Sequence, residues 1–295
     1  MLKMKETDLA MIENNATVVS YFDRLKLLAT SLFEWEGLDE VAGRGASKFL
    51  ERVLYETGHA CFVKDKELGY LVLEANLDGK RNVYDLPTSI EAYSVGYPFK
   101  NYSTDECVLI FNNDLDIPTF QLVSDFAYRL YQVERVTDVN LNAQRTPVLI
   151  EGDTKTALTL KNLYMQYSGN MPFIFGNKDF NIKGKINSVN TQSPYLVDKL
   201  DLHKQRLWNE VMTLLGIKNS NTDKKERLIV DEVNSNNQLV GYYLNTWLKA
   251  REVAKNEINE MFFDGEERIR VKVNDNIING DTVEATEEKE VAENE

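Results

Sequence analysis

All six prolines of this chain, Pro87, Pro98, Pro118, Pro147, Pro172 and Pro194, precede residue 195. A proline inside a helix removes a backbone donor and clashes with the preceding turn, at a cost of about 3 kcal/mol. Everything after Pro194 is therefore free to form long uninterrupted helices. The interval between Pro118 and Pro147 is free in the same way. Apolar residues recur there at helical spacing, Val123, Phe126, Ala127, Leu130 and Val133, which predicts a helix from Thr119 to about Gln144. A second pattern begins with Ser193 as N-cap and Pro194 at the first helical position. It runs through Val197, Leu200, Leu207, Val211 and Leu215 to a stop at Gly216. Each of these two helices spans about 35 Å, long for a compact domain of this size. Two further helices are expected. One runs from Ala16 to Trp35 on Val18, Phe22, Leu25, Leu28 and Leu32; the other runs from Gln238 to Phe262 on Val240, Tyr243, Leu244, Trp247, Ala254, Ile258 and Met261.

Strand signals are shorter and rich in β-branched and aromatic residues: 69–75, 107–112, 147–151, 171–175 and 268–273. Two of these strands and a short helix at 158–167 lie between the two proline-bounded helices. That reads as a small α/β insert at one end of a helical hairpin. The fold class is thus α+β and predominantly helical. The asparagine-rich, highly charged stretch 218–238 reads as a loop around a short apolar island. Residues 275–295 carry eight acids and one base, Lys289, and almost nothing to bury, so they read as a disordered acidic tail.

Composition narrows the class. Hydrophobic residues make up 43% and charged residues 27% of 295, which excludes wholesale disorder. The net charge of −13 is opposite to that of a simple polyanion-gripping protein, although about half of it sits in the tail. Two cysteines, Cys61 and Cys107, exclude a disulfide-dense scaffold and a cysteine zinc ribbon. No apolar run is long enough to span a bilayer, and the opening MLKMKETDLAMIENN has no secretory h-region, so a soluble protein of a reducing compartment is expected.

Catalytic signatures are sparse. Gly184-Lys185 is the nearest approach to a Walker A loop, but it lacks the upstream glycine and the following Ser or Thr, which argues against ATP hydrolysis. Only His59 and His203 exist, so a His-rich metal centre is out of reach. His59 and Cys61, two apart on an expected strand, read as core; His203 reads as a solvated or subunit-facing helix residue. No G-x-S-x-G elbow is present, and neither cysteine has a nucleophile's context. Asn112, Asn113, Asp114 and Asp116 fit a strand-end turn, whose shape Asn and Asp side chains stabilise. A metal-dependent nuclease cluster is the alternative there. Between Ser193 and Arg227, seven bases (Lys199, Lys204, Arg206, Lys218, Lys224, Lys225 and Arg227) face five acids, a locally positive window in an acidic chain. Ordinary i, i+4 pairing, such as Asp223 with Arg227, is the plain reading of that window.

Eight strings occur in order: LFEWEGL (32–38), DGKRNVYD (78–85), IFNNDLDIPT (110–119), NLNAQRTPVLI (140–150), YMQYSGNMPFIF (164–175), SPYLVDKL (193–200), LWNEVMTLLGIKNSN (207–221) and DKKERLIVDEVNSNN (223–237). Over roughly residues 18–262 the chain resembles the upper-collar, or portal (head–tail connector), proteins of short-tailed bacteriophages related to the Salasvirus group. The Arg/Lys-rich N-terminal arm of the best-known member has no counterpart here.

The resemblance implies a portal fold assembled as a closed ring of twelve subunits at one capsid vertex, with a long-helix stem, an α/β clip and an α/β wing. The segments correspond to wing 1–118, stem helices 119–145 and 193–217, clip 146–192, channel loop 218–237, wing or crown 238–274 and acidic tail 275–295. It further implies a non-enzymatic channel for packaging and ejection of double-stranded DNA, with the major capsid protein, lower collar or tail proteins and a separate packaging ATPase as partners. The protein would be made in the host cytoplasm and reside in the virion, with no cofactor, metal or membrane. Channel contacts fall to Lys199, Lys224, Lys225 and Arg227. A further channel lysine of the family falls near Asn190, with Lys183 and Lys185 close by. One subunit cannot bury both faces of such long helices, so Phe126, Tyr131, Leu207 and Trp208 are expected to pack between subunits as well as within one. Mostly acidic walls would repel phosphates while sparse lysine rings touch them transiently, which lets DNA slide. The alternatives are a metal-dependent DNA-processing enzyme built on Asp114 and Asp116, and a structural collar adaptor that never meets DNA.

Overall fold

The computed structural model describes residues 6–77, 79–144, 148–150, 186–188, 194–219 and 230–279. The chain divides into two compact units, residues 1–132 with 203–295, and residues 133–202.

The first unit is organised by a five-stranded antiparallel sheet in the order β5-β4-β3-β2-β6, made of β2 (His59–Asp65), β3 (Gly69–Asn76), β4 (Ser89–Ser94), β5 (Tyr97–Ser103) and β6 (Cys107–Phe111). The inner strand β2, between β3 and β6, is buried on both faces, and its period of two sorts the core. Ala60 and Phe62, with Val72, Val108 and Ile110, point one way. They meet Leu50, Val53 and Leu54 of α3 (Ala46–Thr57) and the far end of the longest helix. Cys61 and Val63 point the other way, with Leu73, Ala75, Ile90, Ala92, Tyr97 and Cys107. Each fully buried Leu, Ile or Phe contributes about 1.5–3 kcal/mol relative to exposure, so α3 is held by its leucine stripe. Around this sheet stand α1 (Glu6–Ala29), β1 (Phe33–Glu36) and α2 (Leu38–Ala42), followed by the start of α4 (Thr119–Gln144) and the end of α5 (Val197–Leu215). The unit closes with α6 (Val230–Phe263), β9 (Arg270–Val273) and α7 (Asp275–Asn279).

Beyond the sheet's turn at Gly69, Asp65 forms a small polar centre. Its carboxylate accepts hydrogen bonds from Tyr97 Oη at 2.6 Å, Lys100 Nζ at 2.7 Å and the backbone N–H groups of Glu67 and Leu68. The Lys100 ammonium, then the Tyr97 hydroxyl, hold the carboxyl well below the ordinary carboxylate range.

Several boundaries differ from the sequence reading. The helix expected to reach Trp35 ends at Ala29, because Phe33 and Trp35 alternate with Glu34 and Glu36 in β1. That strand pairs antiparallel with β9, Phe33 opposite Val273, a partner far along the chain. The expected loop 218–237 is helical from Val230 onward, since helix propensity differences of about 0.7 kcal/mol per residue at most yield to continuation of a 34-residue helix. A five-residue helix, α7, stands at Asp275–Asn279, where the acidic tail was expected to begin; the rest of that tail lies outside the described residues. The short helices α2 and α3 and the strands β4 and β5 were not anticipated.

The second unit contains the end of α4, the two-stranded antiparallel pair β7 (Val148–Ile150) and β8 (Ile186–Ser188), and the start of α5. The expected strand at 147–151 is matched by β7. The expected helix at 158–167 and strand at 171–175 lie outside the described residues. Pro194 does not open α5, and Ser193, expected as its N-cap, lies outside the described residues. Instead, the buried Asn140 of α4 donates from Nδ2 to the Pro194 carbonyl at 2.8 Å and accepts the Leu196 N–H at 3.0 Å, so the helix begins at Val197. One asparagine thereby fixes the approach of α5 to the tip of α4.

Candidate functional site

Within the first unit, the departure of α4 from the sheet is set by the turn after β6. Asn112 donates from Nδ2 to the Ile117 carbonyl and to Thr119 Oγ1, both at 2.9 Å; Asn113 Oδ1 accepts the N–H groups of Leu115 and Ile117. Asp116 adopts a positive φ of 55°, tolerable because Asp visits the left-handed region more readily than most residues. Its carboxylate meets His59 Nδ1 at 2.9 Å, and Asp114 pairs with Lys249 Nζ at 3.1 Å. Gly58 sits against this turn with φ 91°, where a Cβ would come within 2.7 Å of the Asp116 carbonyl oxygen. The acids around Asp114 are therefore engaged in shaping a turn. Among the described residues, no three His, Cys, Asp or Glu side chains gather in a way that could hold a metal ion. Nothing in this arrangement supports the nuclease alternative.

Behind the turn lies a buried ion pair that the sequence reading missed. Arg251 of α6 and Glu51 of α3 are each almost fully enclosed. Arg251 donates in a fork to Glu51, Nε to Oε1 at 2.9 Å and Nη2 to Oε2 at 2.7 Å. The remaining donors reach the Asn112 carbonyl (3.2 Å), Asn112 Oδ1 (3.1 Å) and the Trp247 carbonyl (3.0 Å). Trp35 Nε1 donates to Glu51 Oε1 at 2.8 Å, and the guanidinium stacks over Phe33 at 4.2 Å. One arginine thus ties β1, α3, the β6–α4 turn and α6 together. No local sequence signal marks it, because residues 51 and 251 look like surface charges until the fold places them side by side.

The end of α5 is fixed as closely. Gly216 takes φ 81° as a C-terminal cap, Ile217 N–H donates to the Met212 carbonyl at 2.8 Å, and a Cβ at Gly216 would lie within 3.0 Å of Leu244 on α6. Trp247 Nε1 donates to the Leu214 carbonyl at 3.2 Å.

Of the expected channel contacts, Lys199 is exposed in the first turn of α5. Lys224, Lys225 and Arg227 lie outside the described residues, as do Lys183, Lys185 and Asn190. Of the expected packing residues, Phe126 and Leu207 are buried within the chain, while Tyr131 and Trp208 are half-buried. In the second unit Val136, Val139, Leu141 and Tyr195 are exposed, more apolar surface than a short solvated segment needs. Both thiols are buried and free. Burial pushes Cys107 up to about 11 and Cys61 higher still, so neither is a nucleophile at neutral pH. His203 is exposed. No described helix is long and apolar enough to cross a membrane. Among the described residues, this arrangement positions helices.

A chain in the portal and tail of native bacteriophage P68 is similar in fold, with a TM-score of 0.50 at 13% identity over 97% of this chain and 95% of that one. An HK97 family phage portal protein from Corynebacterium diphtheriae aligns with a TM-score of 0.46 at 12% identity over 86% of this chain and 91% of that one. The model of the Phage Connector (GP10) family matches residues 4–278, nearly the whole length, and the chain belongs to that family.

Proposed function

We propose that this chain, a phage head–tail connector or portal protein and not an enzyme, acts as a ring of twelve subunits at one capsid vertex. The family match over residues 4–278 carries the reading, and two long helices joined by an insert supply parts suited to a channel wall. The stem comprises 119–145 and 193–217, the clip 146–192 and the wing the flanking segments. Double-stranded DNA enters and leaves through the channel, driven inward by a separate packaging ATPase, while the major capsid protein holds the wing and lower collar or tail proteins hold the clip. The protein is made in the host cytoplasm and resides in the virion. Lys199, Lys224, Lys225 and Arg227 supply sparse contacts to phosphate within an acidic chain. Phe126, Tyr131, Leu207 and Trp208 stabilise the stem, and the half-buried Tyr131 and Trp208 reach neighbouring subunits.

Native mass measurement and negative-stain imaging of the purified full chain test this. Twelve copies of 33.9 kDa give closed rings of about 400 kDa. A monomer or dimer that cuts DNA with magnesium would overturn the reading.

A further inference from the structure

The two edges of the five-stranded sheet are unlike each other. The β5 edge carries Pro98, Lys100 and a register shift between Ala92 and Ser94 on its neighbour β4, devices that discourage further strand pairing. The β6 edge, Cys-Val-Leu-Ile-Phe, carries no charge, no proline and no bulge. The Asn112 N–H donates to the Gly58 carbonyl at 2.7 Å, which fixes the phase of the antiparallel ladder. Val108 and Ile110 turn their backbone groups to β2, whereas Cys107, Leu109 and Phe111 turn theirs outward. Among the described residues no partner meets the outward N–H groups of Leu109 and Phe111.

That open edge floors a groove of about 1080 Å³. One wall is α6, with Val253, Ala254, Glu257 and Met261; the other is the loop from Arg81 to Pro87. The lip of the groove exposes Tyr84, Leu86, Leu115, Val253 and Met261. Three of its carboxylates already have partners within the chain: Asp85 and Asp114 pair with Arg81 and Lys249, and Asp116 shares a hydrogen bond with His59. Glu257 and Glu260 are different. They stand three apart on α6 with no cation against them among the described residues, and burial together with Glu260 raises the Glu257 carboxyl above its ordinary range.

We propose that this groove binds an extended segment of a partner protein, in which lysine or arginine alternates with apolar residues, as a sixth strand on β6. The outward N–H and C=O groups of Leu109 and Phe111 supply the ladder, the apolar lip takes alternate side chains, and Glu257 and Glu260 take the cations. The site lies in the first unit and does not depend on ring number or on DNA.

Hydrogen exchange of the full chain is the test, with the acetylated, amidated hexapeptide Leu-Lys-Val-Lys-Val-Lys as probe. Without peptide, the amides of Leu109 and Phe111 exchange faster than those of Val108 and Ile110. Saturating peptide slows the first pair and leaves the second unchanged. Leu109→Pro removes only an outward donor, as edge strands tolerate, and abolishes the protection. Glu257→Gln and Glu260→Gln, which touch no backbone bond, weaken peptide binding about twofold to fivefold each. Three results would overturn the proposal: no protection by the basic peptide, equal protection by Leu-Glu-Val-Glu-Val-Glu, or full protection of Leu109 and Phe111 before any peptide is added, which would assign the edge to a second copy of this chain.

Discussion

Replacing Glu51 by Ala removes one carboxylate and strands two groups at once. Arg251 keeps its charge in a pocket where its side chain is 4% exposed, and Trp35 loses the acceptor for its indole N–H. Breaking a buried pair by deleting one partner costs about 3–5 kcal/mol. For a folding unit of roughly this size each kcal/mol moves the melting temperature by about 2–4 °C, so a fall of about 6–20 °C follows. The double variant Glu51→Met/Arg251→Met tests the mechanism rather than the site alone. It removes both charges, keeps most of the volume, and should regain a large part of the loss, because the penalty belongs to the orphaned charge. Thermal melts of wild type, both single variants and the double variant, followed by Trp fluorescence and far-ultraviolet circular dichroism, form a complete cycle. The second consequence is geometric: Arg251, no longer held by Glu51, anchors Asn112 and the β6–α4 turn less firmly, so ring yield falls more steeply than melting temperature. A double variant as unstable as the two singles combined would refute the reasoning, and so would a Glu51→Ala protein that melts with wild type.

Phe126→Ala empties a site that is 4% exposed and should cost about 3–5 kcal/mol; Trp208→Ala, half-buried, should cost less in melts but reduce the ring fraction seen by native mass. Asp65 has a folded-state pKa below its unfolded value, so its stabilisation is fully present above the ordinary carboxylate range and is lost as pH falls through the depressed value. Denaturant midpoints measured below pH 4 should therefore fall more steeply for wild type than for Asp65→Asn; parallel curves would refute it. Lys224→Ala with Lys225→Ala should leave rings intact and packaging initiated but increase DNA loss from filled particles, each lysine being a screened contact; unchanged retention would remove these residues from the channel mechanism.

Local patterns carried the long helices well and the junctions poorly. The α4 helix runs from Thr119 to Gln144 against an expected 119–145, because Pro118 and Pro147 punctuate a helix whose apolar residues already repeat correctly. The errors cluster where a distant segment decides. Leu32 continued the spacing of α1 convincingly, yet β9 claims Phe33 to Glu36 from more than two hundred residues away. Ser193-Pro194 was a well-formed helix start, yet Asn140 pins Pro194 and Leu196 and moves the start to Val197. Strand β5 is mostly polar and exposed, and β4 alternates only over the short run Ser89 to Ala92, too little to stand out; β4 is a strand because β3 offers it an edge, and β5 because β4 does.

The same distinction governs the site. Lys199 was singled out because it belongs to a string that could be read in one stretch; it is exposed on α5, and its channel contact remains a proposal. Glu51 and Arg251 are two hundred residues apart, and a charge in an amphipathic helix reads as surface unless its partner is known. Residues that touch a ligand are selected for side-chain chemistry and leave a local trace. Residues that set the angle between elements are selected for a partner elsewhere in the chain, and leave none. In a protein whose task is to hold helices at fixed angles, the second kind carries as much of the function as the first.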